Sequence, residues 1–280
     1  MSYRTITVSV KSLKNAERII TFAAMVARKS NAHLIGVHTM GNREVYSDLM
    51  GAVSVPQMTA FHEDQKETSA KIKAVFDRIT GKEDFASEWR EVDLLHESSD
   101  APVLSDWLGS DLIIIGQSNP EIDRPDQRSL VERAVRGSGR PVLVLPYIGN
   151  FENVGENILL GWSATRESTR AAHDALPFIK HAKETKIFWV GKQGGQSQRI
   201  EQSANELAVA LDRHGARVSV LHNDPSKISI GDTLLNEAVN SGSDMIVTGG
   251  YGHSRMYDFV LGATTNHLLK FMTVPVLLSH

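Results

Sequence analysis

The feature that most constrains the fold of this chain is that it is one unit written twice. Ser110–Gly116, Ser-Asp-Leu-Ile-Ile-Ile-Gly, returns as Ser243–Gly249, Ser-Asp-Met-Ile-Val-Thr-Gly. Each copy is followed by a short proline-containing apolar run, Arg140–Leu145 and Val274–Leu278, and Ile6–Val10 aligns in the same order with Ile158–Trp162. A repeat this long is a duplicated domain, because solenoid periods are a few tens of residues. A chain of 280 residues then divides into two domains of ordinary size, expected at 1–149 and 150–280, with Asn150–Glu156 as the linker.

Within each copy, short β-branched runs alternate with amphipathic stretches. In the first, strands are predicted at Thr5–Val10, His33–His38, Trp89–Leu95, Asp111–Ile115 and Pro141–Leu145. Helices are predicted at Asn15–Lys29, Thr59–Ile79, Pro102–Leu108 and Ser129–Arg136. The second copy gives strands at Asn157–Trp162, Lys186–Val190, Arg217–Leu221, Met245–Thr248 and Val274–Leu278. Its helices are predicted at Glu167–His181, Gln198–His214, Gly231–Asn240 and about Tyr257–Phe271. Alternation of this kind implies a parallel sheet with right-handed crossovers and helices on both faces. The expected class is α/β: two doubly wound, parallel, five-stranded α/β/α domains of Rossmann-like type. The first copy carries an extra stretch, Gly41–Ala60, read either as a surface loop or as a flap over a pocket or a partner.

Composition narrows the chemistry. The chain has no cysteine, which excludes disulfides, thiol catalysis and cysteine-zinc sites and suits a reducing, cytoplasmic setting. A net charge of -3 provides no bulk attraction to nucleic acid or anionic membrane, so neither is an expected partner. Met1–Ile20 carries Arg4, Lys11, Lys14, Glu17 and Arg18 and lacks a signal-peptide core, and no apolar run is long enough to span a bilayer. His38, His96, His173, His181, His214 and His222 lack metal-ligand spacing, so no metal site is expected. Gly137-Ser138-Gly139 lacks the context of a nucleophile elbow, and no residue set demands catalysis. Asp111 and Asp244 precede strands, at the end away from a ligand, and read as structural caps.

Ligands of an open parallel sheet bind beyond the carboxyl ends of its strands, where the winding reverses. After the fourth strand of the second copy the chain reads Gly249-Gly250-Tyr251-Gly252-His253-Ser254-Arg255, and Gly262-Ala263-Thr264-Thr265 follows. Glycines admit a phosphate close to the backbone, and a helix start offers it free N–H groups. The spacing G-x2-G-x9-G matches neither the P-loop nor the dinucleotide fingerprint. His253, Ser254 and Arg255 are candidates to neutralise phosphate charge, and the competing reading of the cluster is a tight turn. Trp162 and Trp189 end adjacent strands and either wall the site or fill core.

Two units that each end in an apolar strand, a glycine and a proline-led strand resemble a tandem universal stress protein, and the resemblance covers nearly the whole chain. It implies an adenine nucleotide α-hydrolase-like fold that binds ATP or another adenine nucleotide, with or without magnesium. By that resemblance Gly249 and Gly252 approach ribose and phosphates, and Gly262 supports the phosphate turn. Trp162, Ser163 and Ala164 lie near adenine or ribose, and Val190 offers backbone to the base. Ser163 stands where nucleotide-binding members carry Asp, and Ala263 where they carry a hydroxyl, with Thr264 next to it. The first copy replaces the glycine pair with Gln117-Ser118-Asn119-Pro120 and is read as degenerate. The resemblance further implies that Pro141–Leu145 lies beside Pro275–Leu278 within the chain, and it leaves homodimerisation and the protein partner open. Three functions are compatible: a nucleotide-binding stress sensor acting through conformation or partners, a nucleotide-independent scaffold of the same fold, and a weak ATPase or phosphoryl transferase.

Overall fold

The computed structural model describes residues 2–41, 55–94, 101–119, 121–123, 127, 129–192, 197–250 and 262–280. The chain forms two compact units, one of Tyr3–Arg140 and one built on Pro141–His280.

The first unit contains strands β1 (Thr5–Ser9), β2 (His33–Met40), β3 (Ser87–Asp93) and β4 (Leu112–Gly116), and helices α1 (Leu13–Ser30), α2 (Val55–Thr80), α3 (Ala101–Leu108) and α4 (Leu130–Gly137). Its strands are all parallel in the order β3-β2-β1-β4. The winding therefore runs outward from β1 to β3 and then jumps back across β1 to β4. With right-handed crossovers this places α1 and α2 together on one face of the sheet and α3, which follows the reversal, on the other. Leu112, Ile113, Ile114 and Ile115 are fully buried, as expected of a strand covered on both faces. Helix α2 begins at Val55, inside the stretch read as an extra loop. Its apolar stripe puts Ile72 and Phe76 in the core, with Phe76 5.2 Å from Trp89. Gly36 in β2 is required there, since a Cβ would come within 2.5 Å of Trp89 and 2.7 Å of Phe76.

The second unit contains β5 (Val142–Leu145), β6 (Asn157–Gly161), β7 (Glu184–Val190), β8 (Val218–Asn223), β9 (Met245–Gly249) and β10 (Val276–Ser279). Its helices are α5 (Arg166–Asp174), α6 (Leu176–Ile179), α7 (Gln198–Asp212), α8 (Ile230–Asn240) and α9 (Ala263–Phe271). The strand order is β5-β10-β9-β6-β7-β8, parallel except that β5 runs antiparallel to β10. The adjacency of the two proline-led strands is thus present, with Leu143 opposite Leu277. The single helix expected over Glu167–His181 is broken at Ala175, because Pro177 cannot continue the hydrogen-bond ladder. Helix α9 starts at Ala263, and Tyr257–Leu261 lie outside the described residues.

The repeat is visible in one shared device. Asp111 Oδ2 accepts the Arg4 and Thr5 backbone N–H groups, and the Asp244 carboxylate accepts those of Gly155, Glu156 and Asn157. Asp111 ties the start of β1 to that of β4, and Asp244 ties the start of β6 to that of β9, at the amino ends of the strands. Among the described residues no helix is long and apolar enough to cross a membrane.

Candidate functional site

Strands β6 and β9 are neighbours, and the winding of the second unit reverses between them. Their carboxyl ends open into a cleft of about 290 Å³, lined by Gly161, Trp162, Ser163, Thr165, Glu167 and Thr248 among others. Phe188, Val190, Ile200, Ile230 and Leu234 form an apolar wall on the β7, α7 and α8 side. Gly249, Gly262, Ala263, Thr264 and Thr265 complete it on the β9 and α9 side.

Two helix starts face this space, and they differ. Helix α5 is sealed by a capping box: the Thr165 hydroxyl accepts the Ser168 N–H, and the Ser168 hydroxyl accepts the Thr165 N–H. Helix α9 has Gly262 at its N-cap, which brings no side chain of its own to the first N–H groups, and no other described residue caps them. Thr265 is held inward by its hydroxyl, which donates to the Gly249 carbonyl at 3.5 Å. The uncapped α9 start is the electropositive end of the cleft.

Of the twelve sequence-derived site residues, Trp162, Ser163, Val190, Gly249, Gly262, Ala263 and Thr264 line this one cleft. Trp162 serves both readings at once: it is 8% exposed, lines the cleft, and donates its indole N–H to Ser203 Oγ at 3.0 Å. Trp189 is core, with its ring 4.8 Å from that of His222. Ala164 is exposed beside the lining residues Ser163 and Thr165, and its φ of 54° is left-handed. Such a conformation costs a non-glycine residue about 1 kcal/mol or more, so the turn after β6 is strained where it borders the cleft. Gly252, His253, Ser254 and Arg255 lie outside the described residues. Sequence reasoning missed Glu167 and, beyond Val190, the rest of the apolar wall. It also missed Thr165, although Thr165-x-x-Ser168 ahead of a helix is a capping signal.

Gly249 is fixed by packing. A Cβ there would lie 2.8 Å from Glu167 C, Glu167 Cβ and Ser168 N, so only glycine lets the end of β9 pass the start of α5. Behind the cleft, His267 on α9 meets Asp232 on α8 at 2.7 Å, and Asp232 also accepts the Ser229 hydroxyl at 2.7 Å. The Ser229 hydroxyl first, and His267 second, hold the Asp232 carboxyl below its ordinary range. A lowered folded value contributes stability above the ordinary carboxylate range and loses it as pH falls through the folded value. Asp232→Asn should therefore flatten the decline in melting temperature between about pH 5 and pH 3. An acid limb identical to that of the unsubstituted protein would mean these contacts do not persist in solution.

Among the described residues no cluster of His, Cys, Asp or Glu could hold a metal ion. No protein-family model and no curated protein matches the sequence. Among solved structures, the chain is similar to a universal stress protein from Archaeoglobus fulgidus DSM 4304 at 11% identity and a TM-score of 0.71, covering 98% of this chain and 97% of that one. It is also similar to a functionally unknown protein from Pseudomonas aeruginosa PAO1 at 15% identity and a TM-score of 0.56, covering 99% of this chain and 92% of that one. Over nearly its whole length, the chain has the fold of a universal stress protein.

Proposed function

We propose that the second unit binds an adenine nucleotide in the β6–β9 cleft and that the protein acts as a stress-response sensor through conformation or a protein partner. The observation that carries this reading is the pairing of an apolar wall with an uncapped helix start across one cleft at the switch point. Adenine is flat and apolar on its faces and suits Val190, Ile200 and Leu234. A phosphate suits the free N–H groups of α9, where the macrodipole favours an anion. Magnesium, if bound, would come with the phosphates, since Glu167 is the one acid among the described lining residues. The cysteine-free chain is compatible with a reducing cytoplasm.

A scaffold reading, in which the fold is kept and the nucleotide lost, draws on Ser163 and Ala263. Both are exposed at the cleft; Ser163 offers no carboxylate to ribose, and Ala263 offers no hydroxyl to phosphate.

A thermal-shift titration with ATP, ADP and AMP, with and without magnesium, decides between them. A ligand at 100 times its dissociation constant adds about 2.7 kcal/mol, several degrees for units of this size. Gly262→Asp separates binding from folding. Gly262 has φ -54° and ψ 147°, which any residue adopts, so aspartate caps α9 and gains a few tenths of a kcal/mol. Its carboxylate then occupies the phosphate position and should weaken binding by about 100-fold. A nucleotide shift unchanged in Gly262→Asp refutes the site, and no shift at millimolar ligand favours the scaffold.

A further inference from the structure

Among the described residues, the switch point of the first unit, between β1 and β4, is occupied by the Lys11 side chain. The aligned runs Ile6–Val10 and Ile158–Trp162 place Lys11 where the second unit has Ser163. The Lys11 side chain is 4% exposed and lies across the end of β4, its Cε 4.0 Å from where a Cβ on Gly116 would be. Its ammonium donates to the Gln117 carbonyl at 3.2 Å and pairs with Asp123 Oδ2 at 2.5 Å. Gln127 donates its amide to the Lys11 carbonyl at 2.8 Å, and the Asn119 N–H donates to Asp123 Oδ2 at 2.9 Å. The Asp123 side chain is fully buried, yet its Oδ1 has no hydrogen-bond partner.

An unpartnered buried carboxylate oxygen costs free energy, and it is what a fold accepts when an anion is needed at that spot for another reason. Here the reason is Lys11, whose ammonium is desolvated and would be unpaired without it. Helix α1 starts one residue beyond Ser12, whose buried hydroxyl also lacks a partner and makes no cap bond. The segment after β4 that carries Asp123 corresponds, in the repeat, to the glycine-rich segment after β9.

We propose that the first unit's switch point is an anion site occupied by the chain itself: Lys11 is the cationic receptor, and the Asp123 carboxylate takes the place of a ligand carboxylate or phosphate. The first unit is thereby closed to external ligand. The proposal does not depend on nucleotide binding by the second unit, and its test uses formate and inorganic phosphate alone.

The test compares the unsubstituted chain with Asp123→Ala and with Lys11→Met/Asp123→Ala in thermal melting and refolding, at increasing formate or phosphate. Asp123→Ala should melt about 10 °C lower without anion, because it leaves a buried ammonium unpaired. Saturating formate should restore about 5 °C, and the unsubstituted chain should not respond. The double variant removes the charge and should melt above Asp123→Ala without anion and ignore formate. Restoration by phosphate as well would fix the site's size as that of a phosphoryl group. An Asp123→Ala chain that melts or refolds no better with either anion than without overturns the proposal, as does an equal response in the double variant.

Discussion

Lys11→Met should cost the first unit about 3–5 kcal/mol, a loss of the same origin and size as that of Asp123→Ala. Methionine fills a similar volume and keeps the apolar stem in place, so the loss is electrostatic. Asp123 would retain the Asn119 N–H on Oδ2 and nothing on Oδ1, a buried charge with one neutral donor. Against a typical stability of about 5–15 kcal/mol, such a loss brings the unit close to unfolding at physiological temperature. The comparison that makes the result diagnostic is Arg28–Glu83, where the Arg28 side chain is 61% exposed. Exposed pairs are worth about 0–1 kcal/mol, so Arg28→Met should move the urea midpoint little while Lys11→Met moves it by several times more. Equal small shifts would mean that water reaches the Lys11 pair and that the switch point of the first unit is not dry.

What the sequence made legible follows from how local each signal is. The repeat, the alternation of strands and helices and the buried run Leu112–Ile115 are written in consecutive residues, and the structure has each of them. Asp111 and Asp244 were readable as structural because they precede a strand, and both bind backbone N–H groups at the start of the neighbouring strand. The cleft was legible through strand ends and glycine spacing, which brought Gly249, Gly262 and Val190 to one place. What escaped depends on contacts between distant segments. Lys11 and Asp123 are 112 positions apart, and each alone looks like an ordinary surface charge. The apolar wall draws Ile200 from α7 and Ile230 and Leu234 from α8, where each reads only as part of an amphipathic stripe. Ala164 carries no signal of its left-handed backbone, because that conformation is imposed by the turn and not chosen by alanine.

Gly249→Ala should both destabilise the second unit and abolish the nucleotide response proposed for it. The added Cβ meets backbone, 2.8 Å from Glu167 C and Ser168 N, and backbone cannot rotate aside as a side chain does. Either the end of β9 or the first turn of α5 must shift, at a cost of about 1–3 kcal/mol for overpacking. That first turn is held by the Thr165–Ser168 capping box, so the shift also loosens the wall that Thr165 and Glu167 contribute to the cleft. Gly161→Ala is the matched comparison on the neighbouring strand. The atoms nearest its Cβ would be side-chain ones, Leu234 Cδ2 at 3.2 Å and Thr248 Oγ1 at 3.3 Å, which can give by a few tenths of an ångström, with Thr248 Cβ at an ordinary 3.6 Å. Melting should therefore fall clearly in Gly249→Ala and little in Gly161→Ala. If Gly249→Ala melts normally, the close approach of β9 to α5 is relaxed in solution. If it melts lower yet keeps the full nucleotide shift, the ligand does not bind at the end of β9, and the sensor reading loses its site.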